Sequence, residues 1–366
     1  MKFRILREDL LLPLQQVIGV IERRQTLPIL SNVLIEVEAG RMELAGTDLE
    51  VQLVANTDME GKESGRFTVP ARKLMDICRL LPEGGELAFD VKPERVSLQC
   101  GKSRFILGAL PAENYPNFEH GDPEAVFDCE AQLLRRAIEK TAFAMAQQDV
   151  RYYLNGLLLE IRQGRIRAVA SDGHRLALFE EAVDGMPDVA RQIIIPRKGV
   201  LELGRLLARV EGSASVRISA NNVRILFGTF SFAVKLVEGR YPDYERVIPK
   251  TACRVVVVDR HELRGALTRV AVLSNEKFKG VSLEIGEGLI RLRAQNPEHE
   301  EAEDEVPADV SGEAFAVGFN ASYLLDAINA VASDAVRMSF TDANGSCLIE
   351  DLSDSRYRFI VMPMRL

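Results

Sequence analysis

The residue types that most often do chemistry are few and widely spaced in this chain. Asp172 and His174 are separated by a single glycine, and a carboxylate beside an imidazole is typical of general acid–base catalysis. His261 and Glu262 begin the His-Glu-x-x-His pattern of zinc peptidases, but the second histidine is missing. Because zinc needs at least three protein ligands, a metal site is not expected there.

Cofactor and membrane signals are also missing from the sequence. It has no Walker-type phosphate loop and no Gly-x-Gly-x-x-Gly, and the isolated Gly286-x-Gly288 indicates a hairpin turn, so no cofactor is expected. The five cysteines form no Cys-x-x-Cys, which favours buried thiols over a disulfide framework or a zinc site. The first residues lack the apolar core of a signal peptide, and no segment approaches the roughly 18 apolar residues of a membrane span. We therefore expect a cytoplasmic protein without membrane contact.

The elements that would position these residues form a threefold repeat. Glu36, Glu160 and Glu284 lie 124 residues apart, each in an alternating strand that runs into a glycine turn and a second strand. Three phenylalanines spaced 127 residues apart mark another strand of each copy: Phe105, Phe232 and Phe359. The 366 residues therefore predict three repeated domains, at 1–124, 125–250 and 251–366.

Each copy also predicts two helices. The first helices are expected at 9–24, 131–147 and 260–273, and the second helices at 71–81, 198–210 and 322–331. The remaining segments read as short alternating strands. The fold class is therefore α+β, with two helices packed on antiparallel sheet in each domain.

The repeat changes the interpretation of Asp172. At the corresponding step the other copies have Asp48 and Asn296, which favours a recurrent turn over a catalytic dyad. A nuclease or esterase using Asp172 and His174 remains an alternative, to be tested by whether His174→Ala abolishes turnover.

The distribution of charge differs from its total. The chain has 46 basic and 54 acidic side chains, and a net charge of −8 would by itself argue against nucleic acid binding. Four of the six predicted helices, however, carry two or three more basic than acidic residues, while acid is densest at 298–305. The second helix of the third copy is an exception, because Asp326 is its only charge. This segregation predicts one positive surface built from several domains.

Over essentially its full length the chain resembles the bacterial replicative sliding clamps, the beta subunits of DNA polymerase III. The segments that carry the resemblance are 26–30, 148–156, 171–176, 196–200, 273–278 and 361–366. The resemblance implies a head-to-tail homodimer of three-domain subunits, which forms a six-domain ring around duplex DNA. It also implies a non-catalytic processivity factor that is opened by a separate ATP-driven loader.

The resemblance and the basic helices together indicate three sets of site residues. The expected DNA contacts, made to phosphates without base reading, are Arg24, Arg72, Lys73, Gln148, Tyr152, Tyr153, Arg197 and Lys198. The expected peptide-binding cleft comprises Leu154, Ser171, Gly173, His174, Arg175, Leu176, Pro242, Arg246, Val247, Asn320, Tyr323, Ser346, Val361, Met362, Pro363, Met364 and Arg365. The expected dimer contacts are Phe105 and Leu107 on one subunit and Val272 and Leu273 on the other.

The expected partners follow from these sets. They are double-stranded DNA of any sequence, a second copy of the chain, the polymerase III catalytic subunit, the clamp loader, and other polymerases and repair proteins that carry short peptide motifs. The acidic run at 298–305 could also complement Lys73 and Arg104 across the dimer contact. The alternative function is a DNA-independent peptide-binding scaffold, which a retention experiment on circular and linear DNA would distinguish from a clamp.

Overall fold

The computed structural model describes residues 1–22, 27–61, 63–187, 189–249, 251–342 and 345–365. All six predicted helices are present in this part of the chain, but the first and third end earlier than predicted, at Val17 and Thr141, where 24 and 147 were expected. They are α1 (Arg7–Val17), α2 (Ala71–Leu80), α3 (Ala131–Thr141), α4 (Arg197–Leu207), α5 (Arg260–Ala271) and α6 (Ala321–Ala330).

The helix predicted at 9–24 was too long. Helix α1 ends at Val17, and a tight turn follows in which the Gly19 N–H donates to the Gln16 carbonyl. This turn carries Val20 and Ile21, both 1% exposed, into the core. Burial of these two side chains by the turn replaces the longer helix that the sequence pattern predicted.

The strands build three antiparallel sheets in the described residues. The first repeat supplies β1 (Lys2–Leu6), β2 (Asn32–Glu38), β3 (Arg41–Thr47), β4 (Val51–Asp58), β5 (Gly65–Pro70), β6 (Glu86–Lys92), β7 (Arg95–Cys100) and β8 (Ser103–Gly108). The middle repeat supplies β9 (Ala125–Glu130), β10 (Gly156–Arg162), β11 (Arg165–Ser171), β12 (Arg175–Ala182), β13 (Arg191–Pro196), β14 (Ser213–Ile218), β15 (Asn222–Phe227) and β16 (Phe230–Lys235). The third supplies β17 (Arg254–Asp259), β18 (Gly280–Gly286), β19 (Leu289–Gln295), β20 (Glu301–Ser311), β21 (Phe315–Asn320), β22 (Ala335–Phe340), β23 (Cys347–Asp351) and β24 (Tyr357–Val361).

Strands of neighbouring repeats pair with each other. The sheet orders are β1-β6-β7-β8, then β5-β2-β3-β4-β16-β15-β14-β9, and β13-β10-β11-β12-β24-β23-β22-β17-β20-β19-β18-β21. In the eight-stranded sheet β16 pairs with β4, so that Phe232 lies opposite Leu53. In the twelve-stranded sheet β24 pairs with β12, so that Phe359 lies opposite Ala177. Each later repeat therefore joins the preceding one by the same strand contact.

The chain divides into two compact units. One comprises 1–135 and 198–236, and the other comprises 136–197 and 237–366. The middle repeat thus contributes one group of strands to each unit, because its two sheets pair with different neighbours. The domain boundaries at 124 and 250 stay predictions.

In the described part of the chain, no helix has the length and apolar character needed to cross a membrane.

Candidate functional site

The turn between β11 and β12 is built by the side chains of Ser171 and Asp172. The Asp172 Oδ1 accepts hydrogen bonds from the backbone N–H groups of His174 (2.9 Å) and Arg175 (3.0 Å). The Ser171 hydroxyl accepts from the Gly173 N–H at 3.1 Å and donates to the Arg175 carbonyl at 2.7 Å. Gly173 has a φ of +89°, which a residue without Cβ adopts at low cost. The turn therefore fixes where the next two side chains begin.

Arg175 is held on all sides. Its Nε donates to the Asp172 Oδ2 at 3.0 Å, its Nη1 to the Asp326 Oδ2 at 2.5 Å and its Nη2 to the Phe143 carbonyl at 2.7 Å. The guanidinium carbon lies 4.5 Å from the ring centre of Tyr323 and 5.5 Å from that of Phe143. Only 12% of the side chain is exposed. A guanidinium with charge-assisted bonds and two aromatic contacts is a rigid element of the surface.

The third repeat supplies the opposite side of this site. Helix α6 begins after Asn320, whose Oδ1 caps the N–H groups of Ser322 and Tyr323. The ring of exposed His174 is stacked against that of Tyr323, with the centres 6.3 Å apart and an interplanar angle of 19°. Partial burial, together with the charge of Asp172, raises the pKa of Tyr323, so its phenol stays protonated at neutral pH.

The C-terminal tail runs beside these residues. The Met362 N–H donates to the His174 carbonyl at 2.9 Å, and the Met364 N–H donates to the Gly318 carbonyl at 2.8 Å. Met362, Pro363 and Met364 are half-buried, so they present part of their apolar surface to solvent. Methionine side chains repack readily, which suits a surface that must accept different partners.

Beneath the site lies an apolar cluster that joins the second repeat, the tail strand and the connector before β17. It contains Ala146, Leu154, Leu158, Val169, Leu176, Leu178, Ile194, Tyr241, Tyr244, Leu348 and Ile360. Among the predicted cleft residues, Leu154, Leu176 and Val361 are no more than 3% exposed and form the support of the cleft. Val247 packs against the cluster while keeping part of its surface exposed.

The remaining cleft predictions lie nearer the solvent. Pro242, Arg246 and Arg365 are exposed, and Ser346 is half-buried. The Arg246 Nε donates to the Asp243 carboxylate at 2.7 Å. Pro242 and Arg246 therefore give the connector beside the apolar cluster an exposed edge with a charged group, as at the rim of a peptide-binding surface.

The recurrent turn that the sequence predicted is confirmed in the first two repeats, whereas in the third the Asn296 Oδ1 accepts from the Glu300 N–H, four residues later, at 2.9 Å. In the first repeat the Asp48 Oδ1 accepts from the N–H groups of Glu50 and Val51, at 2.9 and 2.7 Å. Asp172 makes the same pair of bonds 124 residues later and also binds Arg175. The turn accounts for the carboxylate of Asp172 without a catalytic role. Within the described ranges, no three His, Cys, Asp or Glu side chains are grouped so that they could share a metal ion.

The predicted DNA contacts differ in their availability. Arg24 lies outside the described residues, whereas Lys73, Gln148 and Tyr152 are exposed and Tyr153 is half-buried. Gln148 has a φ of +55°, which turns the backbone sharply before the two tyrosines. These exposed side chains are open to a ligand, although the Tyr152 ring also contacts that of Tyr153, with the ring centres 5.8 Å apart.

Three of the predicted DNA contacts are engaged internally. The Arg72 Nη2 donates to the Ile21 carbonyl at 3.0 Å, and the Arg197 Nη1 donates to the Met145 carbonyl at 3.3 Å. The Lys198 ammonium pairs with the carboxylates of Glu22 and Asp48. Burial lowers the pKa of Lys198, but these two hydrogen bonds outweigh burial and raise the pKa above its ordinary value. Counting basic residues on the helices therefore overstates the positive charge available to a ligand.

The predicted dimer contacts lie at an edge strand and after a helix. Strand β8 is at the edge of its sheet, and its Leu107 is 7% exposed because it faces the core. Ile106, which the sequence interpretation missed, points outward and is 58% exposed. Its position between two inward-facing residues of an alternating strand was the available signal. Val272 is 76% exposed just after α5.

The acidic run forms an ion-pair network in its own repeat. Arg291 binds Glu305 at 2.7 Å, Arg293 binds Glu303 at 2.7 Å, and Arg269 binds Asp304 at 2.7 Å. Part of the acid thus neutralises neighbouring arginines. Electrostatic pairing of this run with Lys73 and Arg104 across the dimer contact stays a prediction. The ion pairs within the repeat leave fewer carboxylates available for it.

Comparison with known proteins agrees with the repeat and with the fold. Three family models match: the N-terminal, central and C-terminal domains of the DNA polymerase III beta subunit, at residues 1–119, 128–243 and 245–365. The beta sliding clamps of Pseudomonas putida and Escherichia coli K12 are 48% and 46% identical to the chain, with both chains fully covered.

Solved structures show the same similarity. A sliding clamp from Pseudomonas aeruginosa bound to griselimycin has a TM-score of 0.97 and 48% identity, and the polymerase III beta subunit of Caulobacter crescentus has a TM-score of 0.94 and 35% identity. Each structure covers the whole chain and is itself fully covered. The chain therefore belongs to the family of bacterial sliding clamps, the beta subunits of DNA polymerase III.

Proposed function

We propose that two copies of this chain close head to tail into a ring around duplex DNA and tether the replicative polymerase for processive synthesis. The observation that carries the proposal is the repeated strand contact between neighbouring repeats. Strand β16 pairs with β4, and β24 pairs with β12 in the same way. The equivalent strand of the first repeat is β8, an edge strand. The equivalent acceptor in the third repeat is β20, which pairs with β17 at 308–311, whereas its residues 301–307 pair with β19 and keep their other edge open among the described residues. A second copy can satisfy both edges by the same contact.

The two observed contacts give a register for the proposed one. The turn between β19 and β20 is one residue longer than the equivalent turn of the second repeat, since Gln295 pairs with Glu301 whereas Ser171 pairs with Leu176. With that insertion, Phe105 of one copy is expected opposite Ala302 of the other.

The same register puts Arg104 opposite Glu303, which pairs opposite charges. Both side chains point to the outer face of their sheets, since Arg104 alternates with the inward-facing Leu107 and Glu303 with the buried Val306. The agreement of face and charge supports the register.

The cleft is proposed as the docking site for short peptide motifs. Its rigid Arg175, the aromatic rings of His174 and Tyr323 and its apolar support are the features that anchor peptides in protein interfaces. The polymerase III catalytic subunit, the clamp loader and other polymerases and repair proteins would share this one site. A related clamp from Pseudomonas aeruginosa is bound to griselimycin, and we propose that this chain binds griselimycin in the same cleft.

The ring would hold DNA without reading its sequence. Lys73, Gln148 and Tyr152 are the proposed contacts that need no rearrangement, because all three are exposed. Arg24, Arg72, Tyr153, Arg197 and Lys198 complete the proposed set. We further propose that the chain is non-catalytic, acts in the cytoplasm, and has domain boundaries at 124 and 250.

The decisive experiment measures topological retention. An Arg104→Cys, Glu303→Cys variant is made on a Cys253→Ser background, because Cys253 is the exposed cysteine among the described residues. Facing positions of an antiparallel pair lie about 4.5–5.5 Å apart at Cα, which suits a disulfide. The reduced protein is first loaded on nicked circular DNA and is then oxidised there, and retention in 1 M NaCl is compared before and after the DNA is linearised.

A ring is expected to stay on the circle at high salt and to leave once the circle is cut. A protein held only by phosphate contacts would lose roughly 10³–10⁵ in affinity between 50 and 200 mM salt, whatever the DNA topology. Equal loss from circular and linear DNA would contradict the clamp and favour the DNA-independent scaffold. The Arg104→Cys single variant controls for disulfide formation outside the proposed register.

A further inference from the structure

An acidic residue stands at the sixth position of the second helix in every repeat. These residues are Asp76 on α2, Glu202 on α4 and Asp326 on α6. Asp76 is exposed, and Glu202 pairs at 2.6 Å with Arg205, one turn further along its own helix. Asp326 pairs at 2.5 Å with Arg175, which belongs to the preceding repeat. The same helix position therefore has three different uses.

The hydrogen bond from Arg175 to Asp326 crosses from one repeat to the next, unlike its other two side-chain hydrogen bonds. The bonds to Asp172 and to the Phe143 carbonyl come from the repeat that carries Arg175 itself. The bond to Asp326 comes from α6, the helix that carries Tyr323 three residues earlier. Residues three apart share one face of a helix, so the carboxylate of Asp326 and the ring of Tyr323 meet the same guanidinium.

Arg175 is more buried than Asp326, so the guanidinium depends more on the carboxylate than the reverse. Arg175 is 12% exposed, whereas the Asp326 side chain is 44% exposed and keeps one face in water. A guanidinium buried to this degree needs its charge balanced. Asp326 supplies part of that balance without blocking the surface beside Tyr323.

We infer that Asp326 is a positioning residue for peptide recognition. It fixes the guanidinium of Arg175 against the ring of Tyr323, so the two residues from different repeats form one preorganised edge of the cleft. This inference rests on the proposed role of the cleft. It also explains why α6 needs no base of its own beside Asp326: the arginine that pairs with this carboxylate comes from the neighbouring repeat.

The test measures binding of griselimycin by calorimetry to the full chain. Asp326→Ala is expected to lower the affinity about tenfold, because an unfixed charged side chain must be ordered again on binding. Asp326→Asn is expected to lose less, since its amide oxygen can still accept from Arg175. Asp76→Ala, the equivalent substitution in the first repeat, is the matched control and should leave the affinity unchanged.

A double-mutant cycle separates positioning from a direct or general structural effect. If Asp326 acts through Arg175, Asp326→Ala will cost nothing further in an Arg175→Ala background. An equal loss in both backgrounds, or wild-type affinity in Asp326→Ala, would overturn the inference while leaving the cleft in place. A wild-type chain that does not bind griselimycin, or an Arg175→Ala variant that binds as well as wild type, would instead refute the proposed cleft.

Discussion

Two junctions join the three repeats, and their backbones are nearly the same. The first junction is the pairing of β4 with β16, and the second is the pairing of β12 with β24. The Lys235 N–H donates to the Glu50 carbonyl at the first, and the Met362 N–H donates to the His174 carbonyl at the second, both at 2.9 Å. The same antiparallel strand pairing therefore joins neighbouring repeats at both junctions.

The side chains at the two junctions differ. At the first, Arg205 donates to the Gln16 carbonyl at 2.9 Å and pairs with Glu202, close against Gly19. A Cβ on Gly19 would lie 1.9 Å from the Glu202 carboxylate, so the ion pair occupies the space that a side chain would need.

At the second junction the equivalent positions carry larger side chains. Phe143 corresponds to Gly19, Tyr323 to Gly199 and Arg175 to Val51 in the repeat order. We propose that a few substitutions on one backbone separate the first junction, which joins two repeats, from the second, which also recognises a ligand. Joining depends on strand pairing, and recognition depends on the side chains at its edge.

The largest expected effect comes from making the second junction resemble the first. Arg175→Val introduces the residue that the first repeat has at this step, Val51. We expect griselimycin affinity to fall by at least about 100-fold, because a central, buried arginine anchor is lost. The free energy of unfolding should also fall by about 1–3 kcal/mol, since Asp172 and Asp326 lose their partner. Calorimetry and urea unfolding measure the two effects, and unchanged affinity would break the comparison.

A smaller effect is expected at the first junction. Arg205→Ala removes the bond to the Gln16 carbonyl and the pair with Glu202. Because this arginine is 40% exposed, we expect a loss of only about 1 kcal/mol in the free energy of unfolding, and unchanged griselimycin affinity. Arg209→Ala, an exposed position in the turn after the same helix, is the control and should change neither. A loss of ligand affinity in Arg205→Ala would show that the first junction also recognises ligands.

The smallest effect is expected from Gly19→Ala. The methyl group would displace the Glu202 carboxylate and the Arg205 guanidinium, which are the flexible ends of their side chains. We expect the free energy of unfolding, measured in urea, to fall by about 0.5–1 kcal/mol. A substitution of glycine by alanine normally raises this free energy. In an Arg205→Ala background the loss should shrink or reverse. The same loss in both backgrounds would mean that the ion pair does not fill this space.

The sequence was sufficient for the repeat, the six helices and the recurrent turn. Strand alternation and helical spacing are local properties, so they survive without knowledge of the fold. The side-chain partners were not predictable in this way: Arg175 and Asp326 are 151 residues apart, and Lys198 and Glu22 are 176 residues apart. The sequence interpretation therefore overestimated how many basic side chains on the helices are available to a ligand. The extra length predicted for α1 failed because burial of Val20 and Ile21 outweighed local propensity.

Asp326 shows what the sequence signal contained and what it lacked. Its isolation on an otherwise uncharged helix marked it as unusual, but only the folded chain brings it to Arg175. Leu154 and Leu176 show the opposite case. Resemblance grouped them with the cleft residues, and the structure shows both side chains buried beneath that surface.

The free strand edges carry a further consequence for how copies of the chain find each other. Strand β8 bears Arg104 and follows Lys102, and the open part of β20 bears Glu301 and Glu303 and follows Glu300. An unpaired edge accepts almost any other edge through its backbone, so on that ground alone two copies could meet in the wrong orientation. Like charge opposes β8 against β8 and β20 against β20, while opposite charge favours β8 against β20. The charges at the two edges thus give each copy a direction and select against mispaired assemblies before any close packing is made.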